Sequence, residues 1–236
     1  MPATFGLAIY HALASIKSLI FNLVVIFLKT RHLHILLTNL KVRLFKSYKV
    51  MMCMINQENR SPARGINHIG LTVPDLELAT RFLQQALDAK FVYDGLTTND
   101  APRKGHDTEI QLGLTSGTMI IKQRLLRIGN GANIELFEIT SEKQRDPVGL
   151  QDVGWNHISF YVDDIEYAVE RVKSAGGRFL SGIHGNSHHE DTEGNASIYF
   201  FTPWGSLIEL QSIPNGYYYP DDSEAKTWIP DPTNLK

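Results

Sequence analysis

Ile66-Asn67-His68-Ile69 returns as Trp155-Asn156-His157-Ile158, and Ile134-Glu135-Leu136 returns as Ile208-Glu209-Leu210. At an offset of 89 the first echo continues, with Val73 opposite Val162, Asp75 opposite Asp164, Glu77 opposite Glu166 and Ala79 opposite Ala168. One unit written twice, each copy opening on a histidine and closing on a glutamate, implies a duplicated module. Around the histidines the periodicity is that of strands. Ile69, Leu71 and Val73 alternate with His68, Gly70 and Thr72, as Ile158, Phe160 and Val162 do with His157, Ser159 and Tyr161. Each strand has an aliphatic face for a helix and a small or polar face around its histidine, which suits a pocket better than a core.

A helix follows each strand. Asp75 is placed as N-cap of one running to about Asp88, with Leu76, Ala79, Phe82, Leu83, Ala86 and Leu87 at helical spacing. Asp164 caps the second, whose stripe is Ile165, Ala168, Val169 and Val172 and whose end is Gly176-Gly177. Shorter strand-like runs come next: 90–93, 109–114, 118–126 and 133–139 in the first copy, then 178–181, 196–202 and 206–212 in the second. Gly129-Asn130-Gly131 and Pro203-Trp204-Gly205 read as turns. The pattern is β-α-β-β-β twice, an α+β fold with module 1 over 66–139, a polar linker over 140–153, module 2 over 154–213 and an aromatic tail over 214–236. In the last strands Glu135 and Glu209 alternate with aliphatic neighbours, so they share the histidines' side of the sheet. With first and last strands near the middle of the sheet, all four side chains converge.

Two polar loops interrupt the plan, 94–108 and 182–195. Both are placed to fold over a pocket as lids. The second holds His184, His188, His189, Glu190, Asp191 and Glu193, and reads as a polar surface loop rather than a second metal site.

Charge is uneven. Residues 1–57 hold seven Lys/Arg and no Asp or Glu, leaving 16 basic and 25 acidic residues in the remainder, a net of −9 with histidines neutral. An acidic body argues against nucleic acid as a partner. The single Cys53 excludes an intrachain disulfide and fits a reducing compartment. Residues 1–65 lack the repeat. Residues 8–28 have the length of a membrane span but carry His11, Lys17 and Asn22. A membrane anchor, a targeting segment and a start placed upstream of Met51, Met52 and Met54 are the readings of this extension. If it spans, the lysines and arginines after it put the repeat in the cytoplasm, where the catalytic body is expected in any case.

The paired modules, Asn-His-Ile followed by Val-Pro-Asp-Leu, Asn-His-Ile followed by Val-Asp-Asp-Ile, and the closing Pro-Trp-Gly-x-x-Ile-Glu-Leu resemble the vicinal oxygen chelate superfamily. That group includes glyoxalase I, methylmalonyl-CoA epimerase, extradiol dioxygenases and bleomycin-resistance proteins. The resemblance covers about 66–213 and is nearest the glyoxalase and epimerase branch. It implies a cup-shaped mixed sheet with helices outside and one divalent metal held by His68, Glu135, His157 and Glu209. Two imidazoles and two carboxylates suit Zn, Ni, Co, Mn or Fe(II) without choosing among them. The implied chemistry is lyase or isomerase: proton transfer next to a metal-bound carbonyl of a small molecule with adjacent oxygens. Glu209 is the first candidate for the base and Glu135 the second.

The first alternative is an Fe(II) ring-cleaving dioxygenase using His68, His157 and Glu209, with His184, His188 or Tyr199 as an accessory acid or base. It leaves Glu135 unexplained. The second is a non-catalytic drug-binding protein, which four intact ligands oppose. Lys122, Arg124 and Arg127 are the candidate cations for an acidic substrate, though arginine and lysine at a strand edge are usually solvated. A homodimer is expected, with the ligands drawn from one chain or from two.

Overall fold

The computed structural model describes residues 63–231, together with short helical pieces at 16–17, 19–20 and 44–47. Met1–Arg64 and Gly65–Lys236 are separate compact units. The readings made on residues 1–65 lie almost wholly outside the described residues. Among those that are described, no helix is long and apolar enough to cross a membrane.

The body begins with strand β1 (His68–Val73), helix α1 (Leu76–Leu87) and strand β2 (Lys90–Leu96). A two-residue strand β3 (Arg103–Lys104) and a short helix α2 (His106–Leu112) precede β4 (Met119–Arg127) and β5 (Asn133–Thr140). The second copy runs β6 (His157–Tyr161), α3 (Ile165–Ala175), β7 (Arg178–Phe179), β8 (His184–Gly185), β9 (Ala196–Phe201) and β10 (Leu207–Ser212). Each copy makes its own five-stranded mixed sheet, in the order β1-β5-β4-β2 and β6-β10-β9-β7, with β3 and β8 attached to β4 and β9. First and last strands pair in parallel and the remaining pairs are antiparallel.

Both helices form where their caps dictate. Asp75 accepts from the Leu78 backbone N–H and Asp164 from that of Tyr167, each satisfying an orphan donor of the first turn. Accepting that bond holds the Asp75 carboxyl below its usual range. Glycine at 176 ends α3 in the left-handed region (φ 99°). At Gly177 a Cβ would come within 2.3 Å of the Val172 side chain and 3.3 Å of Phe200, so only hydrogen fits there.

The apolar stripes of α1 and α3 join the inner faces of both sheets in one core. Phe82 of α1 packs on Phe200 of β9, with ring centroids 6.3 Å apart, and edge-on against Trp204 at 5.4 Å. Arg171 of α3 donates to the carbonyls of Gln84 and Gln85 at the end of α1. The two modules therefore meet through their helices and through Phe82 against β9.

Two expectations change. Residues 109–114 are not a strand: Glu109–Leu112 belong to α2, which closes on Gly113 in the left-handed region (φ 64°). The run reads as strand-like, but Asp107 and Glu109 suit a helix N-terminus, and Glu109 accepts from the Gly117 N–H across the turn. The first strands, moreover, lie at sheet edges. β1 has only β5 as a neighbour and β6 only β10, so each histidine sits on an edge with one side unpaired within the sheet.

Candidate metal centre

Two half-sites result. In module 1, His68 Nε2 lies 3.3 Å from Glu135 Oε2, and the other oxygen of Glu135 accepts from Gln123 at 2.6 Å. In module 2, His157 Nε2 lies 3.8 Å from Glu209 Oε2. Parallel pairing explains the match: Glu135 is opposite Gly70, and Glu209 opposite Ser159, in each case two residues beyond the histidine. The two pairs do not come together, and among the described residues no three His, Cys, Asp or Glu side chains gather around one point.

Each imidazole is oriented by the residue before it. His68 Nδ1 lies 2.8 Å from Asn67 Oδ1, and His157 Nδ1 lies 2.7 Å from Asn156 Oδ1. An amide oxygen only accepts, so Nδ1 carries the hydrogen. In the neutral ring Nε2 then aims a lone pair at a carboxylate that also has only lone pairs to offer. Two acceptors at this separation need a positive charge between them, either a proton or a metal ion. A histidine whose second nitrogen is tied to a carbonyl is the arrangement that fixes the metal-binding tautomer, so the donor set fits a divalent cation on chemical grounds. Asn67 and Asn156 were missed as functional residues although both stand inside the repeated motif.

Around the module 2 pair, the Tyr199 ring meets His157 edge-on at 5.6 Å. Burial and a hydrogen bond to Glu209 push its phenol up to about 12. The module 2 pair is the more buried, with His157 and Glu209 29% and 11% exposed against 44% and 16% for His68 and Glu135. The candidate cations lie elsewhere. Lys122 donates to Glu138 at 2.8 Å, and Arg124 donates to Asp94, Glu77 and Thr80. Both therefore face α1 across the sheet from Glu135, and their ion pairs raise both pKa values. Arg127 donates to the Gly129 carbonyl at the hairpin turn. His184 and His188 fall in the 182–195 loop, whose short 3-10 turn His188–Glu190 brings Glu190 to within hydrogen-bonding distance (3.3 Å) of Gln211.

Residues 65–210 match the model of the Glyoxalase/Bleomycin resistance protein/Dioxygenase superfamily, and the chain belongs to that family. It is 28% identical over 170 residues to 2-epi-5-epi-valiolone epimerase from Actinomyces sp., covering 72% of this chain and 90% of that protein. It is also 27% identical over 157 residues to ethylmalonyl-CoA/methylmalonyl-CoA epimerase from Cereibacter sphaeroides, covering 63% of this chain and 97% of that protein. Among solved structures, a glyoxalase family protein from Bacillus cereus has the same fold, with a TM-score of 0.51 and 16% identity over 68% of this chain and 99% of that one.

Proposed function

We propose that the chain is a divalent-metal-dependent epimerase-like enzyme whose metal site is completed by a second copy. His68 and Glu135 of one chain and His157 and Glu209 of another would hold one ion. The observation that carries this reading is the pair of half-sites, each with an Asn-oriented imidazole facing a carboxylate and each on an open sheet edge. An open edge is a template for another strand. The residues entering these edges are apolar and exposed, Ile66 before β1 and Val153 and Trp155 before β6, as a patch awaiting a partner would be. The two relatives named as epimerases support the reaction type.

When bound, the ion polarises a substrate carbonyl and so acidifies the neighbouring C–H. Glu209 would take that proton, and Glu135, the second carboxylate of the composite site, would supply one to the opposite face after taking it from solvent. Asn67 and Asn156 keep the imidazoles in one tautomer. Gln123 holds Glu135 in place through one oxygen. Tyr199, directly opposite Glu209 in the β9–β10 register, would limit its rotation. Glu135 favours this reading over ring cleavage, for which two histidines and one carboxylate suffice.

Complementation tests the proposal. Chains carrying His68→Ala with Glu135→Gln are mixed with chains carrying His157→Ala with Glu209→Gln, after co-refolding. Hybrid dimers should regain metal binding and solvent-deuterium wash-in next to the carbonyl, because one of their two sites has all four ligands. No recovery in hybrids, or wild type that stays metal-free in metal-replete medium, overturns the composite site. Oxygen consumption with catechols instead of wash-in would favour the dioxygenase.

A further inference from the structure

We infer that the β-bulge at Gly95 is a positioning device for the candidate metal centre: the missing side chain makes room for the Gln123 amide, and the amide presents Glu135 to His68 through a single oxygen. This deepens the proposed function and rests on it for the ion. The chain of contacts itself stands on the geometry of module 1.

The device starts in the pairing of β2 with β4. Asp94 is opposite Arg124 and Leu96 is opposite Gln123, so Gly95 is an extra residue with no partner across the ladder. Without it, Asp94 and Leu96 would share one face of the sheet. The bulge sends them to opposite faces. Asp94 turns toward α1 and accepts from Arg124 at 2.6 Å, while buried Leu96 lies beside Gln123 on the side of Glu135. Gly95 has no positive φ, so its backbone does not demand a glycine. Space does. A Cβ there would lie 3.1 Å from both Cδ and Oε1 of Gln123 and 3.4 Å from its Cγ.

Gln123 has little freedom to yield. Its Nε2 donates to Glu135 Oε1 at 2.6 Å, and the other oxygen, Oε2, faces His68 Nε2 at 3.3 Å. A carboxylate only accepts, so the amide hydrogens point at Glu135 and the amide oxygen rests against Gly95. Glu135 is part-buried, and a hydrogen bond to a charged group in such a place is among the stronger ones. The bond occupies one oxygen and fixes the plane of the carboxylate, which leaves Oε2 to meet a cation shared with His68. A methyl group at position 95 would push the amide aside by a few tenths of an ångström and strain that bond.

Module 2 lacks the device. Phe137, two residues beyond Glu135, is opposite Gln123, whereas Gln211, two residues beyond Glu209, is opposite Ser197. A short hydroxyl stands where the long amide would have to be. The strand that takes the place of β2 is the two-residue β7, which pairs with β9 without a shift in register. The duplication therefore repeats the His–Glu pair and leaves the support of Glu135 to one copy.

The test compares Mn2+ affinity of the full chain, followed by electron paramagnetic resonance, in Gln123→Met, Gly95→Ala and the double variant. Methionine keeps the length of glutamine and donates nothing to Glu135. Gln123→Met should weaken Mn2+ binding by about 10–100-fold, the usual worth of a group that orients a metal ligand, and Gly95→Ala by about threefold or more. The double variant should bind as Gln123→Met does, because the added methyl then has no bond to disturb. With Co2+ bound, Gln123→Met should also alter the visible spectrum, since a released carboxylate can bind through both oxygens. Wild-type affinity in either single variant, losses that multiply in the double variant, or an unchanged Co2+ spectrum overturns the inference. If the wild-type chain binds no Mn2+, the metal reading alone fails, and heteronuclear NMR of the Gln123 side-chain amide in metal-free protein decides the device. Its signal should move in both Gly95→Ala and Glu135→Ala, and a signal that stays in place in either one overturns it.

Discussion

Module 1 and module 2 share a frame and invest their polar groups on opposite faces of it. Both carry the Asn-His strand, the Asp-capped helix and the glutamate two residues further along a parallel neighbour. In module 1 the charged groups are on the helix side: Glu138 accepts from the Leu76 N–H and from Lys122, and Arg124 ties Asp94 to Glu77. At the place of Glu138 module 2 has Ser212, and its polar residues crowd the cup side beneath the loop and the tail. A duplicated unit can keep one His–Glu pair in each half while its other polar groups diverge. The comparison teaches that one strand frame can spend its polar groups on stitching a helix to the sheet in one copy and on the opposite face in the other.

The largest expected effect tests this asymmetry at the carboxylates. With metal saturating, Glu209→Gln should lower deuterium wash-in by about 10²–10⁴-fold, the usual worth of a positioned base, and Glu135→Gln by clearly less. Equal losses would erase the division between base and partner. Next comes the core that both modules share. Phe200 is fully buried against Phe82 and Phe179, so Phe200→Ala should cost about 3–5 kcal/mol in denaturant titration, with both modules melting together. Separate transitions would show that the helices do not weld the halves.

Smaller effects probe the stitching. Lys122→Met leaves the part-buried Glu138 with the Leu76 N–H as its remaining donor and should cost about 1–3 kcal/mol. Because Glu138 raises the Lys122 pKa, this contribution is complete below the unfolded-state value and is lost as pH rises through the folded one. The thermal difference between wild type and Lys122→Met should therefore shrink in strong alkali. The smallest effect is at the matched cap. The Asp75 pKa is lowered by the Leu78 N–H, so its contribution is present above the unfolded-state value and lost as pH falls through the folded one. Asp75→Asn, which caps at any pH, should flatten the acid limb of a melting-temperature profile; an unchanged limb would mean the cap carries no charge-dependent stability.

Much of this was legible in the repeat because caps and stripes are local. Asp75, Asp164 and Gly176 announce helix ends within a few residues of themselves, and the stripe from Leu76 to Ala86 is buried as its spacing implies. Where β1 and β6 lie in their sheets is a non-local fact, set by which strands pair, and alternation says nothing about it. The candidate ligands could be named from their pattern, and the structure brings them together as two His–Glu pairs rather than as one set of four. The orienting role of Asn67 and Asn156 was equally visible in type and spacing, yet it acquires meaning only once a 2.7–2.8 Å contact to Nδ1 exists.

The open edges of β1 and β6 have a cost to the solitary chain. An edge strand flanked by exposed Ile66 or Trp155 is sticky toward any other strand, native or not. The contact that would bring four ligands around one ion is also the contact that would hide both edges. Dilution or a substitution that separates the copies should then bring turbidity along with loss of activity, and solubility would serve as a proxy for assembly.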